Sequence, residues 1–223
     1  MTGPVLDDHC HLDPERGRGV EAVSEFARAG GTHLLVVNQP SWKLGVEPET
    51  GEDFRPVFEA TVDVVGRSSE ALPGRAWPVL GVHPTLISRL VDERGMAAGD
   101  AADLMRTGLD VAAEYAADGP AVALKSGRPH YEVPDAVWDA SNAVLRHALS
   151  LAAETGVALQ LHTESTDDLT EVAEWAADAG LPSERVVKHY AGGTCAGVTP
   201  SAIARKDALL DAVGSGEPFL MET

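Results

Sequence analysis

Cysteine and long apolar runs are both scarce in this chain, and each shortage excludes a class of protein. The two cysteines, Cys10 and Cys195, lie far apart and form no CxxC pair, so we exclude a disulfide framework and expect reduced thiols. No stretch reaches the roughly 18 apolar residues of a membrane span. The first residues do not place a basic region before an apolar one, as a signal peptide would. These absences predict a cytoplasmic protein with no membrane partner.

Positive charge is also scarce. The chain has 17 lysines and arginines against 35 aspartates and glutamates, which gives a formal net charge of −18, and only four of the bases are lysines. The acidic residues are spread along helical patterns such as 164–180. Because strong salt screens the self-repulsion of such a surface, this pattern predicts a halophilic protein, with an ordinary acidic protein as the alternative. General affinity for nucleic acid is disfavoured.

Short apolar runs alternate with stretches of helical periodicity. The runs cover residues 4–12, 32–40, 76–84, 120–127, 157–164, 184–193 and 218–223. Helical patterns lie between them, for example at 21–29, 101–117 and 136–154. This alternation predicts an α/β protein with a parallel sheet, either open or closed into a barrel. The sequence shows no internal repeat or linker, so we expect residues 1–223 to form a single domain.

Polar side chains close all seven apolar runs. They are His9 with His11, Asn38, His83, Lys125, His162, His189 and Glu222. In a (β/α)₈ barrel the carboxyl ends of all strands form the active-site face, whereas a doubly wound sheet uses them only at a switch point. Polar endings on every run therefore favour the TIM-type barrel.

The segment "VLDDHCHLD" at 5–13 carries the first candidate site. Strand periodicity places Asp7, His9 and His11 on one face, with Asp8 and Cys10 on the other. Strand-end imidazoles are typical ligands of zinc and other borderline divalent metals, and an aspartate beside them often orients a ligand histidine.

Two more strand-end histidines, His162 and His189, complete a four-imidazole set. Each histidine alone is better explained as structural, but the four together favour a metal site. We interpret His33, at a strand start, and His147, within a helix, as structural.

Lys125 ends the apolar run "AVAL" and is expensive to bury unpaired. Three interpretations stay open. The amine is a base with a lowered pKa, or it is carboxylated and bridges two metals like a carboxylate, or it extends along the strand end to reach solvent.

The ordered set "DDHCHLD", "GVHP", "GRPHY", "LHTE", "KHYAGG" and "FLMET" resembles the TatD-related metal-dependent hydrolases of the amidohydrolase superfamily, most closely an archaeal branch. The resemblance runs from residue 4 to the C-terminus. It implies a distorted (β/α)₈ barrel and a site for one or two divalent ions, namely zinc, manganese or magnesium. It also implies hydrolysis of a small-molecule ester, amide or phosphodiester, with DNA as a further candidate substrate.

The resemblance also assigns roles to individual residues. The implied metal ligands are His9, His11, Lys125, His162 and His189. Lys125, His83 and Glu222 form the implied catalytic set, with His83 near the substrate and Glu222 orienting a ligand. Arg128 would hold an anionic substrate group, with a structural salt bridge as the alternative, and His130 would contact substrate or support its loop.

Two positions depart from the family pattern. Relatives commonly have glutamate where this chain has Lys125, and an unmodified lysine there would repel a metal pair. The family's last strand carries Glu-Thr-Asp, whereas this chain ends at Thr223. We therefore expect a barrel that is incomplete at the C-terminus, with its last helices missing.

The departures leave two alternatives to an active hydrolase. One is a catalytically impaired metal-binding relative, or a fragment that lacks the final catalytic aspartate. The other is a phosphate-binding or isomerase-type barrel without metal, which the His9 and His11 pair disfavours. The sequence makes no prediction of oligomeric state.

Overall fold

Eight parallel strands pair in chain order and form a nearly closed barrel in the computed structural model, which describes residues 3–13 and 16–223. The strands are β1 (Leu6–Cys10), β2 (His33–Val37), β3 (Arg75–Gly81), β4 (Ala123–Gly127), β5 (Ala158–His162), β6 (Val186–Ala191), β7 (Thr199–Ile203) and β8 (Leu220–Glu222). At the closure, the Thr223 hydroxyl donates a hydrogen bond to the Asp7 carboxylate. The predicted (β/α)₈ barrel is confirmed.

The helices pack around this barrel. They are α1 (Val20–Arg28), α2 (Arg55–Ala71), α3 (Leu86–Ser88), α4 (Ala98–Ala117), α5 (Asp135–Thr155), α6 (Thr170–Ala179) and α7 (Lys206–Ser215). Helix α5 ends at Thr155, and Gly156 caps it in a left-handed conformation with φ 71°. Within the described residues, none of the helices combines the length and apolar character needed to cross a bilayer.

The strands separate two apolar layers. Leu124, Leu159 and Leu161 belong to the large core between the sheet and the helices, and all three are fully buried. A smaller cluster fills the barrel interior, where Val79 and Ala123 pack. Because side chains alternate along a strand, the residue two beyond an interior one also faces inward. Lys125 on β4 and Gln160 on β5 are placed inside the barrel in this way.

Gly81 ends β3 beside Lys125, and the approach of β3 to β4 there requires a glycine. A Cβ on Gly81 would overlap the backbone carbonyl oxygen of Lys125, which cannot rotate away. We expect Gly81→Ala to lower the free energy of unfolding by about 2–4 kcal/mol in urea denaturation. The control is Gly66→Ala, at an open position in α2, where alanine should stabilise the helix by about 0.5–1 kcal/mol. Unchanged stability of Gly81→Ala would contradict this packing.

Candidate metal centre

Strict alternation fails in β1, and this changes which side chains enter the barrel. Asp7 pairs with Leu34 and Cys10 with Val36, so the first strand carries a bulge between those positions. As a result His9 and Asp8 both contact groups of the interior. The expectation that Asp8 faces away from the histidines is therefore wrong.

Backbone and side-chain acceptors fix the ring nitrogens of three histidines. His11 Nδ1 lies 2.9 Å from the carbonyl oxygen of Val37, which only accepts, so Nδ1 carries the proton. His9 Nδ1 lies 2.8 Å from Gln160 Oε1, and the Gln160 amide is oriented by donating to the Asp8 carbonyl.

His189 completes the set, because its Nδ1 lies 2.7 Å from Glu222 Oε2. All three rings then present an Nε2 lone pair, which is the form that ligates a metal.

The four histidines predicted as ligands converge at the carboxyl ends of the strands, and we call His9, His11, His162 and His189 the histidine cluster. The His9 and His189 rings stack with centroids 3.7 Å apart. The His11 ring meets His9 edge-on at 5.2 Å, and His162 lies 5.5 Å from His189. The structure thus brings together residues in or just after β1, β5 and β6 that are up to 180 positions apart in the chain.

Lys125 lies beneath this cluster and is only 3% exposed. Its Nζ is 3.2 Å from His9 Nε2, the same lone pair that a metal would use. Burial lowers the pKa of Lys125 to about 7, so the neutral amine is accessible near neutral pH. The interpretation in which this lysine extends into solvent is wrong. The other two interpretations of Lys125, a base and a carboxylated lysine, stay open.

Asp8, Ser201 and Glu222 share a buried proton beside His189. Ser201 Oγ lies 2.7 Å from Asp8 Oδ1 and 3.2 Å from Glu222 Oε2, yet the hydroxyl has one hydrogen to donate. A proton on one carboxyl would make both contacts hydrogen bonds, and burial, which raises the pKa of each carboxyl to about 7, favours one proton on the pair near neutral pH. Both Glu222 oxygens accept N–H groups, from His189 and from Tyr190, whereas Asp8 Oδ2 has no partner. This pattern places the shared proton on Asp8.

His83 and His130 lie next to His162 but differ from the other histidines. His83 Nδ1 accepts the backbone N–H of Thr85 at 3.2 Å, so the proton of the neutral ring is on Nε2. Burial lowers the pKa of His83 to about 2, which keeps that ring neutral. His130, on the loop after β4, lies with its Nδ1 3.0 Å from His162 Nε2. A metal at His162 Nε2 would displace this contact.

The guanidinium of Arg128 contacts a carboxylate and two aromatic rings of the protein. Its Nε donates to Glu164 Oε2 at 2.9 Å, and a second nitrogen lies 2.5 Å from Glu164 Oε1, so the pair is bidentate. The ring centroids of Trp138 and Trp175 lie 4.6 and 5.8 Å from the guanidinium carbon of Arg128. Arg128 is 4% exposed. The structure thus supports the salt-bridge alternative that the sequence left open for this residue.

We expect Arg128→Met to lower the free energy of unfolding by about 2–4 kcal/mol, because Glu164 loses a buried partner. Arg146→Met is the matched control. Arg146 stacks on the same Trp175 ring but is exposed, and its loss should cost less than about 1 kcal/mol. Guanidinium denaturation of the metal-free protein measures both. Equal effects of the two changes would contradict the structural role of Arg128.

The donor set fits a divalent cation that prefers nitrogen and oxygen ligands. His9, His189 and Glu222 offer ligand atoms within 4.8 Å of one another. Burial lowers the pKa of His11, His162 and His189 to about 3, so these rings are neutral and able to ligate at neutral pH. Neutral imidazoles whose second nitrogen is held by an acceptor are the usual ligands of such metals.

Three functional side chains were missed in the sequence. Gln160 orients His9, and its signal was available, because it stands two residues before His162 in an otherwise apolar run. Ser201 was missed together with the whole of β7, since Pro200 argues against a strand. Asp8 was assigned to the wrong face because the bulge in β1 leaves no mark in the sequence.

An eight-stranded barrel with histidines at its carboxyl-terminal mouth defines the class of barrel metallohydrolases. The family model for TatD related DNase matches residues 6–202. The uncharacterized protein MJ1127 of Methanocaldococcus jannaschii is 32% identical over 234 residues, which cover 99% of this chain and 78% of that protein. The chain therefore belongs to the TatD-related family, and it is a metal-dependent hydrolase of that family.

Solved structures agree with the fold. The TatD-like protein AF1765 from Archaeoglobus fulgidus superposes with a TM-score of 0.65 at 19% identity, covering 98% of this chain and 84% of that one. An organophosphorus hydrolase from Deinococcus radiodurans gives a TM-score of 0.55 at 17% identity, covering 98% and 74%. The lactonase Lmo2620 from Listeria monocytogenes also gives 0.55, at 14% identity, covering 98% and 77%.

Proposed function

We propose that the histidine cluster holds one or two divalent ions, and that the protein hydrolyses a phosphodiester or another ester. The observation that carries the proposal is the set of three imidazoles whose Nδ1 protons are held by fixed acceptors, leaving three Nε2 lone pairs at the barrel mouth. A divalent ion bound there would supply Lewis-acid chemistry for hydrolysis. Imidazole donors favour zinc or manganese over magnesium.

The chain's own groups have distinct roles in this proposal. Glu222 orients His189 by accepting its Nδ1 proton, and Ser201 and Asp8 hold Glu222 in turn. His83 carries its proton on Nε2 and is half-buried next to His162, so it is placed to donate to an oxygen of the substrate. His130 contacts His162 Nε2 without metal, and a metal bound at that nitrogen would release the His130 ring to contact substrate.

Lys125 decides whether the cluster binds metal well. As an ammonium it opposes a dication and occupies the His9 lone pair. As a neutral amine it can add to carbon dioxide, forming an N–C bond and releasing one proton, and the resulting carbamate is an anionic oxygen ligand. We propose that Lys125 acts in this carboxylated form, because burial brings its pKa to about 7.

The proposed substrates are small esters and phosphodiesters. The name of the matched family points to DNA, but a net charge of −18 repels a polyanion unless salt screens it. The protein in salt should therefore be tested on single-stranded DNA beside small compounds such as bis(4-nitrophenyl) phosphate and a simple lactone.

The test is hydrolysis before and after chelation. We expect at least one substrate of the panel to be cleaved, cleavage to stop after chelation, and zinc or manganese to restore it. Cleavage that survives complete removal of metal would contradict the proposal. Metal binding without cleavage of any substrate would support the second candidate, an impaired metal-binding relative, which the contact of Lys125 with His9 Nε2 favours.

A further inference from the structure

Lys188 is a buried lysine that the proposed mechanism does not use. It lies on β6 next to His189, with its side chain on the helix-facing side of the strand, in register with Leu161 of β5. It is 4% exposed. Among residues 3–13 and 16–223 no hydrogen bond or ion pair reaches its Nζ. The stem of Lys188 is therefore buried, and its amine is left to a cavity instead of a hydrogen-bond partner in the protein.

The Lys188 side chain lines a cavity of about 340 Å³ that opens beside the histidine cluster. His162 and His189 form one part of the wall, and Ser165 and Tyr190 form another. We call this space the Lys188 cavity. It therefore joins an unpartnered cation to the histidines that would hold the metal.

Tyr190, which lines the Lys188 cavity, has a strained backbone conformation. It has φ 58°, a left-handed conformation that a bulky L-residue adopts only when its surroundings impose it. The backbone N–H of Tyr190 donates to Glu222 Oε1 at 2.8 Å, which holds this conformation. The ring is 60% exposed at the cavity edge, so its hydroxyl is free to reach a ligand there.

We propose that Lys188 binds an anionic group of the substrate, a phosphate or a carboxylate, next to the bond that is cleaved. The ammonium supplies the charge, and the hydroxyls of Ser165 and Tyr190 supply further donors on the same wall. A local cation is needed because the overall charge of −18 repels anionic substrates. The inference rests on the proposed function and adds a substrate class to it.

The surrounding acidic groups define where the anion sits. Asp167 and Asp211 line a second pocket, which shares Lys188 with the Lys188 cavity, and their carboxylates repel an anion from that second pocket. Glu164 borders the Lys188 cavity, but Arg128 neutralises it through a bidentate pair. Glu222 interacts with Lys188 from the histidine side, but its two oxygens already accept from His189 Nδ1 and the Tyr190 N–H. An added anion is therefore placed in the Lys188 cavity and not in the pocket lined by Asp167 and Asp211.

Binding of inorganic phosphate and of acetate to the metal-free protein tests the site without requiring hydrolysis. Calorimetric titration should show saturable binding that weakens about 10- to 100-fold in Lys188→Met and recovers in Lys188→Arg. The control is Lys206→Met, which removes an exposed lysine and changes the net charge equally. The anion that binds more tightly, phosphate or acetate, indicates whether the substrate carries a phosphate or a carboxylate group. Equal binding by wild type and Lys188→Met overturns the proposal.

A measurement on the unmodified chain covers the case in which the variants fail to fold. The chain has four lysines, so acetylation of each can be followed by mass spectrometry. Phosphate or acetate should slow acetylation of Lys188 and leave Lys206 unchanged. Equal rates at Lys188 with and without the anion overturn the proposal.

Activity of the metal-loaded enzyme gives an independent readout. Lys188→Met should lower kcat/KM for the mono(4-nitrophenyl) ester of succinate about 10- to 100-fold more than it lowers kcat/KM for the uncharged 4-nitrophenyl acetate. Equal losses on both esters would show a merely structural role and overturn the proposal. If the wild type cleaves neither ester nor any phosphodiester, the proposed function fails, while the phosphate and acetate titrations still decide the Lys188 site.

Discussion

We expect replacement of His9 and His11 together by alanine to abolish metal binding and to lower hydrolysis by at least about 1,000-fold, equivalent to about 4 kcal/mol of transition-state stabilisation. The reason is that these residues supply two of the three Nε2 lone pairs that fixed acceptors aim into the barrel mouth. Metal content and kcat/KM are measured on the same preparation. A variant that folds, keeps its metal and keeps its rate would contradict the proposed ligand set.

The matched control for this pair is His147→Ala. His147 lies within α5, where its Nε2 is 2.6 Å from Asp110 Oδ1, far from the histidine cluster. Its loss should leave metal content and kcat/KM unchanged. A comparable drop in this control would mean that histidine replacement acts on overall folding rather than on the metal centre.

We expect Lys125→Glu, compared with the wild type in the absence of bicarbonate, to raise the affinity for zinc or manganese at neutral pH by at least about 100-fold, which is the second large effect. A buried cation in contact with His9 Nε2 becomes a carboxylate, so repulsion of the dication becomes attraction. The metal affinity of Lys125→Glu should not depend on bicarbonate, because the variant has no lysine to form a carbamate. Calorimetric titration with and without bicarbonate measures both effects.

Lys206→Glu is the control, since it changes the net charge by the same amount at an exposed position where solvent screens it. Equal metal affinity of Lys125→Glu and Lys206→Glu would contradict the placement of Lys125 in the metal centre.

The pH dependence of metal binding follows from the same lysine. The pKa of Lys125 is lowered to about 7, so the ammonium that opposes a dication is present below that pH and lost above it. Metal affinity of the wild type should therefore rise steeply between about pH 6 and 8. The pair Asp8 and Glu222, whose pKa values are raised to about 7, acts in the same direction by losing its one shared proton. In Lys125→Glu only their smaller contribution should persist.

The barrel could be predicted because its signals are periodic and local. Apolar runs, helical patterns between them and a polar residue at the end of each run are visible in the sequence, and the runs correspond to β1–β6 and β8. Strand β7 could not be predicted in this way. Its segment contains Pro200, and only its pairing with β6 and β8 makes it a strand.

The metal centre could be predicted in its ligands but not in the groups that support them. Histidines at strand ends stand out in sequence, and the structure does bring His9, His11, His162 and His189 together. The acceptors that set their tautomers come from distant parts of the chain. One of them, the Val37 carbonyl, is backbone, so residue type carries no information about it. The expected halophilic surface and cytoplasmic location stay predictions.

Arg128 shows how sequence context alone can mislead about a charged residue. A glycine-flanked arginine after β4 is a reasonable anion binder, but Glu164 and the two tryptophans that enclose it lie on later elements. Lys188 contrasts with Arg128. The sequence predicts a role for its neighbour His189 but none for Lys188, whose burial without a hydrogen-bond partner is visible only in the structure.

Elemental analysis of metal per chain tests the central claim most directly. The protein is purified without chelators, and a second sample is chelated and then incubated with zinc and manganese. We predict one or two equivalents of metal per folded chain in the incubated sample, none in the chelated one, and none in the His9→Ala/His11→Ala variant. A folded wild-type chain that takes up no metal under these conditions, with bicarbonate present, would contradict the assignment of the histidine cluster as a metal centre.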